Sequence, residues 1–420
     1  MIGFDFRTTC DNLLAFRHTL DDLAVRHGYT VEHEGHTSTV RLCEFGDIKL
    51  EYSVHQKGLV PVEYVVHGYC NSYPAGPGLH KAAVELLDEL GLSIGRDIQV
   101  DDHTGYYDYR NFGKLRTTYF DQMLQEDIEQ HFGDEVIRRK GGFWEWPDNH
   151  YCPKLIPGTV ITAMGRFDAN CVQEQLAHEG IEAVAPNFFL WYNEGRDALF
   201  YRNQGLVSLW TECCFMPSVR CDSDETVNDF IVVNLEKAAA LDPTLPFPKR
   251  AYLEVCCLHD HQPIPLTALT DYESDYAIGY RRDWITYNIG TLIFSVPGNN
   301  MVNHDKGTIV FADLNGDNWH VVSLAPAYQN AVTEEVLALT PPDDPSVRVL
   351  DEGEMQGGRF QLLEVVPESM ADGQACYLCQ CRVLTLGQYT VINIASFPKE
   401  ESISYARQIV AHLRGSQKEK

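Results

Sequence analysis

The chain is 420 residues long, 44% hydrophobic and 11% aromatic, with a mean hydropathy of -0.24. These are ordinary globular values, and no stretch approaches the ~18–20 apolar residues that a membrane-spanning helix needs. Sixty Asp and Glu against 33 Lys and Arg give a formal charge of -27 and a pI near 4.9, which disfavours nucleic acid and anionic membrane as partners and favours a basic protein.

Single cores rarely outgrow about 250–300 residues, so several domains are expected. The N-terminus, Met1-Ile2-Gly3-Phe4-Asp5, shows neither the basic head nor the apolar run of a signal peptide. The thirteen cysteines, an odd number spread along the chain, read as reduced and mostly buried thiols rather than a disulfide framework. Both features point to the cytoplasm.

Residues 1–135 read as one α+β module. Thr8 or Thr9 caps a helix whose stripe is Leu13, Phe16, Leu20, Leu23 and Ala24, with Gly28 as its stop. Strands follow over Thr37–Glu44, Asp47–Val54 and Val60–Tyr69, the first two joined at Phe45-Gly46. His80–Leu90 is a helix ended by Gly91, Ile98–Asp101 a short strand, and Phe112–Phe132 a longer helix. The helix–three-strand–helix layout resembles bacterial chaperone-type α+β domains. Residues 136–158 form a linker holding the basic run Arg138-Arg139-Lys140 and the aromatics Trp144 and Trp146.

Residues 159–285 read as a second α+β module. Thr159–Arg166 is a strand, and Asp168 or Asn170 caps a helix over Cys171–His178. Two long aromatic-rich strands are expected at Ala183–Tyr192 and Asp197–Phe215, with a turn at Asn203-Gln204-Gly205. Val227–Leu241 is a helix and Arg250–Leu258 a final strand.

Residues 286–414 form the third module, followed by a polar tail over 415–420. An apolar run ends in Val296-Pro297-Gly298. Thr308–Leu314 and Trp319–Leu324 flank Asn315-Gly316, the strongest short hairpin signal because a type I′ turn needs two positive φ angles. A short helix over Asn330–Leu339 is followed by strands at Phe360–Val366, Cys376–Leu384 and Tyr389–Ser396. A helix over Ser402–Leu413 then puts Ile403, Ala406, Ile409, Val410 and Leu413 on one face. This order of elements, with its strand–Pro–Gly opening, resembles the PsbP/Mog1-like domains. The resemblance implies a binding or accessory domain and carries no catalytic residue. The fold class expected overall is α+β, three modules of antiparallel sheet with packed helices.

Three clusters are weighed for chemistry. The loop Asp101-Asp102-His103-Thr104-Gly105 with Tyr106 and Arg110 offers carboxylates beside a histidine, the groups of general acid–base work; it equally suits a solvated strand-to-helix turn. Cys256, Cys257, His259 and His261 are candidate metal ligands, but lack the four-ligand knuckle of a structural zinc site. Cys376, Cys379 and Cys381 contain a C-x-x-C string; in a strand only Cys379 and Cys381 share a face, so that pair cannot close on one ion. Two loops fail on spacing. Asp313–Asp317 lacks the Gly and Glu of a calcium loop, and Ala75–Lys81 lacks the Walker spacing while its proline removes an amide. No cofactor fingerprint is found. The expected function is a cytoplasmic, non-enzymatic binding or accessory protein recognising another protein; the alternative is a hydrolase-like enzyme using Asp101, Asp102 and His103.

Overall fold

The structure is a computed structural model. It describes residues 2–55, 63–132, 142–143, 156–213, 215, 222–258, 260–272, 284–289, 292–305, 308–313, 320–327, 343, 345, 347–365, 377–385, 388–396 and 399–415. The fold is α+β, with several separate sheets and packed helices.

Alternation of Phe4 and Phe6 with Asp5 and Arg7 makes the first element a strand, β1 (Gly3–Cys10), which the sequence reading passed over. Its Phe side chains are buried and its charged ones exposed. Helix α1 (Leu13–His27) is capped by Asn12, whose side chain accepts from the Ala15 amide at 3.1 Å. Thr8 is not the cap; its hydroxyl donates to the Asp97 carbonyl at 3.0 Å. Strands β2 (Thr30–Glu34), β3 (Thr37–Cys43), β4 (Gly46–His55) and β5 (Glu63–Asn71) follow, then α2 (Pro77–Ile94) and β6 (Gln99–Asp102). The six strands form an antiparallel sheet in the order β2-β3-β4-β5-β1-β6. Helix α2 runs past Gly91 and stops at Gly95, which takes the left-handed conformation (φ 63°).

Two short helices, α3 (Tyr106–Tyr109) and α4 (Phe112–Lys114), lead into a π-helix over Leu115–Asp121 and then α5 (Gln122–His131). The single long helix expected here therefore carries a π segment in its first half. Strands β7 (Gly142–Phe143), β8 (Thr159–Thr162) and β9 (Gly165–Asp168) make a small sheet in which β7 and β8 run parallel. Helix α6 (Ala169–Glu179) is capped by Asp168, as its spacing predicts.

The strands expected between 183 and 258 are helices. Ile181–Val184 is α7, a 3₁₀ turn covers Ala185–Asn187, and α8 spans Ala198–Thr211 under an Asp197 cap. Every residue of α8 except Tyr201 is buried. A helix buried on all sides, with Arg202, Asn203, Gln204 and Ser208 buried among its apolar residues, has no amphipathic period and reads as a strand. The turn expected at Asn203-Gln204-Gly205 lies inside it, where the Asn203 amide donates to the carbonyls of Pro186 (2.9 Å) and Phe189 (3.1 Å). Helices α9 (Asp222–Leu241) and α10 (Lys249–Leu258) follow; in α10, Ala251, Tyr252, Val255 and Cys256 are buried with helical spacing.

One apolar core runs without a break from Ile2 to Tyr272, joining the six-stranded sheet to the helices that follow it. Its tightest joint lies at the first turn of α2. The Trp191 amide donates to Ala75 O (2.7 Å), and the Gly78 amide donates to Trp191 O (2.9 Å). Phe189 and Trp191 sit so close that a Cβ on Gly78 would fall 2.0 Å from Trp191 Cδ1. Arg196 braces the same joint, donating to His27 O at the end of α1 (3.0 Å) and lying over Tyr29 (4.7 Å) and Trp191 (5.3 Å).

A second core spans Ile285 to Leu413. Strands β10 (Trp284–Ile289), β11 (Leu292–Pro297) and β19 (Arg414–Gly415) form one antiparallel sheet. Seven more, β12 (Met301–Asp305), β13 (Thr308–Asp313), β14 (His320–Ala327), β15 (Val347–Met355), β16 (Gly358–Val365), β17 (Tyr377–Thr385) and β18 (Gln388–Ser396), pair in the order β12-β13-β14-β18-β17-β16-β15. The β13–β14 ladder places Asp313 opposite His320, so the strands flanking Asn315-Gly316 pair as expected; the turn, Trp319 and the helix at 330–339 lie outside the described residues. Helix α11 (Lys399–Ala411) buries Ala406, Ile409 and Val410, and Leu413 is buried just beyond it.

Gly78→Ala forces a methyl into the Trp191 contact, and overpacking of this kind costs about 1–3 kcal/mol. Urea unfolding of the variant should show that loss.

Candidate functional site

The five residues of the Asp101–Arg110 loop do not converge. Asp101 and His103 are exposed. Arg110, in the left-handed conformation (φ 51°), lies on the surface, pairs with Asp88 at 2.7 Å and covers the Tyr107 ring at 4.8 Å. Tyr106 is buried, and burial pushes its phenol up to about 12. Only Asp102 carries a buried carboxylate, and it meets residues from other elements.

Asp102 Oδ1 accepts from the Thr104 amide and hydroxyl, both at 2.8 Å, and Oδ2 accepts from the Tyr107 amide at 2.8 Å. Its Oδ2 also lies 3.3 Å from His80 Nε2, and His80 Nδ1 is 2.8 Å from Ser72 Oγ. Ser72 ends the run after β5, His80 sits in the first turn of α2 and Asp102 ends β6, so three separate elements meet here. The rings of Phe4 (5.3 Å), Tyr106 (5.9 Å) and Phe120 (6.4 Å) wall the imidazole. Sequence reasoning had the signal for His80 and left it unused. With Ala83, Val84, Leu87 and Leu90 it falls on the inward stripe of α2.

The order Ser–His–Asp is that of a nucleophilic triad, but its surroundings are those of a core. Ser72 and His80 are 0% exposed, and the Asp102 side chain 2%. The Ser72 hydroxyl has a second acceptor in Ile2 O at 3.2 Å, so its proton can turn to either the ring or the backbone. A buried polar group is stable only when hydrogen-bonded, and this chain ties β1, β5, α2 and β6 at one point. Burial alone would raise the Asp102 carboxyl; the His80 hydrogen bond and charge, with the Tyr107 and Thr104 amides, outweigh it and hold the group far below the usual carboxylate range.

The candidate metal ligands part company. The segment is a helix and not a strand, with Cys256 on its buried face and Cys257 exposed; His259 lies outside the described residues. His261 Nε2 lies 2.7 Å from Glu236 Oε1, which also accepts from the Tyr252 hydroxyl at 2.6 Å. The His261 amide donates to Cys256 O (2.9 Å) past Asp260 at φ 51°, a helix-closing turn. Among the described residues no group of three or more His, Cys, Asp or Glu is placed to hold a metal ion. Cys379 and Cys381 face the second core, fully buried, and burial lifts their thiols to about 11 and about 12; Cys376 is outside the described residues.

Two open grooves are lined by described residues. One, of about 420 Å³, lies between α1 and α2 and is lined by His27, Tyr29, Glu85, Asp88 and Glu89. His27 stacks on Tyr29 (5.6 Å) and reaches Glu89 at 3.0 Å. Lys81 and Arg110 pair with Glu85 and Asp88, each at 2.7 Å. The other, of about 440 Å³, lies along α10 and is lined by Phe215, Leu253, Glu254, Cys257 and Leu258.

A further carboxylate sits in the β3–β4 turn. Phe45 there is left-handed (φ 60°), and Glu44 is half-buried. Burial first, then the charge of Glu212 just past α8, lift Glu44 to about 7, with Arg41 opposing.

No family model matches the chain, and no curated protein does. A crystal structure at 1.50 Å from Bacteroides thetaiotaomicron VPI-5482 is similar over 30% of this chain and 46% of that one, with 12% identity and a TM-score of 0.22. The chain thus spans less than half of that protein, and the likeness carries no argument about fold or function.

Asp102 and Glu44 give opposite pH dependences. Asp102 ionises in the folded state below its unfolded value of about 3.9, so its contribution is complete above that value and is lost as pH falls below it. Asp102→Asn should cost about 1.5–3 kcal/mol at neutral pH and flatten the acid limb of an unfolding titration. Glu44 is the reverse: its folded value lies above the unfolded value of about 4.3, so stability declines as pH rises from there through about 7. Glu44→Gln should raise Tm at alkaline pH and leave it unchanged in acid, read by calorimetry at the two ends.

Proposed function

We propose that this chain is a cytoplasmic, non-enzymatic binding or accessory protein that recognises another protein. One observation carries the reading. Among the described residues the Ser72–His80–Asp102 chain is sealed in the core, and a second such chain, Asp21–His33–Ser38, ends on a serine that is 1% exposed, while two grooves open to solvent are lined by groups that dock a partner. The groove of His27, Tyr29, Glu85, Asp88 and Glu89 presents three carboxylates in intramolecular ion pairs at the surface, which a Lys or Arg side chain of a partner would enter by exchange. The net charge of -27 steers such a partner in and turns nucleic acid and anionic lipid away. Among the described residues no helix is long and apolar enough to cross a membrane.

The last third supports an accessory role through its PsbP/Mog1-like order of elements: a strand ending at Pro297, paired central strands, further antiparallel strands and a terminal helix on the sheet. The hydrolase reading has one observation in its favour, the Asp102–His80–Ser72 chain. It requires the wall of Phe4, Tyr106 and Phe120 to open before any substrate reaches Ser72.

Cross-linking in the native cell followed by purification of the full chain should capture a partner with an exposed basic segment. The triple variant Glu85→Lys, Asp88→Lys, Glu89→Lys should lose it by more than tenfold in affinity, and added salt should weaken the wild-type complex. A fluorophosphonate probe separates the two readings: no label on Ser72 is expected, and labelling abolished by Ser72→Ala would favour the enzyme.

A further inference from the structure

The π-helix over Leu115–Asp121 ends on a buried carboxylate held to its cation by a long ion pair without a hydrogen bond. Asp121 is 3% exposed. Its Oδ1 accepts from the Tyr192 hydroxyl at 3.0 Å, and its Oδ2 accepts no hydrogen bond. Arg116, one turn earlier, forms a long ion pair with it, Nε to Oδ2 at 3.8 Å, in which neither atom makes a hydrogen bond. The guanidinium instead reaches outward: Nη2 donates to Glu182 Oε1 on α7 at 2.7 Å, and Cζ lies 5.3 Å over the Tyr192 ring. Arg116 thus stands between two carboxylates, one buried and one on the surface, and bonds the surface one.

An ionised carboxylate in such a place draws the nearest cation to itself, because low local dielectric magnifies the attraction and an unpaired buried charge is costly. A neutral acid has no such claim. A short contact to Glu182 and a long one to Asp121 is the sharing that a neutral Asp121 favours. Burial, the largest influence, lifts the group to about 6, opposed by the Tyr192 hydrogen bond and Arg116 and assisted by Glu182. The other charged groups around the turn are engaged elsewhere: Asp127 on α5 accepts from Tyr73 at 2.8 Å, and Tyr192 stacks on Phe189 at 6.4 Å. A π-helix suits such a device, since its extra residue leaves a seam where hydrogen bonding shifts at small cost.

We infer that Asp121 is a proton-operated switch that decides whether Arg116 bridges outward to Glu182 or inward to the core. With the proton bound, Arg116 ties the π-helix to α7. On release of the proton, Arg116 moves to Asp121 and frees Glu182, loosening α7 where it leads into the Phe188–Tyr192 segment. The switch is independent of the Ser72–His80–Asp102 chain and of the proposed protein-binding role.

The test uses the full chain at about pH 5 and about pH 8, which bracket the transition. The Nε–H resonance of Arg116 should titrate with a midpoint near 6. Amide protection over 181–184, corrected for intrinsic rate, should fall about tenfold for each unit by which the folded and unfolded pKa differ. Asp121→Asn should abolish the titration and hold protection at its acid level. Glu182→Gln should leave protection low at both pH values, and it keeps the test decisive if the Asn variant fails to fold. The inference is overturned if the Arg116 resonance does not move, if its titration survives Asp121→Asn, or if the Asp121 carboxyl titrates near its ordinary value of about 4.

Discussion

The close approach of Trp191 to the first turn of α2 is the constraint on which the larger core depends. Helix N-termini leave amide donors without intrahelical partners, and here the Trp191 backbone takes one of them at Gly78 while donating to Ala75 O. The glycines that looked like a phosphate cradle serve this contact: side chains at 76 or 78 would collide with Phe189 or Trp191. Once α2 is pinned, His80 is driven inward to Asp102 and Ser72, and Arg196 closes over the end of α1. The continuity of the core from Ile2 to Tyr272 follows from that joint.

The polar network beside it shows how the same three residue types serve opposite ends. In a hydrolase, serine stands at a surface where a substrate arrives and donors wait for an oxyanion. Here serine is fully buried with a backbone carbonyl as its other partner, and aromatic rings enclose the imidazole beside it. The energetic logic is that of satisfaction: each carboxylate oxygen of Asp102 is met by at least one donor. Asp121 lacks that completeness, which is why its shift is opposite to that of Asp102.

Much of the architecture was legible because its signals are local. The β3–β4 hairpin, the Gly28 stop, the Asp168 cap and the inward stripe of α11 all follow from short windows. Among the central helices α9 was legible, while α8 was not, for one physical reason. Helix α8 is surrounded by protein, so solvent never imposed a polar face on it, and Ala198–Thr211 reads as a β-rich run. Strand β1 was lost differently, its Phe4/Phe6 alternation eclipsed by the stronger helical stripe after it. At the candidate site, Asp102 was found as a loop carboxylate, but its partners lie 22 and 30 residues earlier and only the fold brings them together. Asp121 gave no signal at all; the π segment that buries it looks in sequence like ordinary helix.

The distribution of sulfur has a practical consequence. Cys10, Cys43, Cys70, Cys213 and Cys256 are shut inside the first core, Cys379 and Cys381 inside the second, while Cys171 and Cys257 face solvent. Burial also keeps the interior thiols in their unreactive protonated form at neutral pH. Alkylation under gentle heating therefore dates the opening of each half of the molecule separately, with mass spectrometry reading the order in which the two interiors come undone and no engineered reporter required.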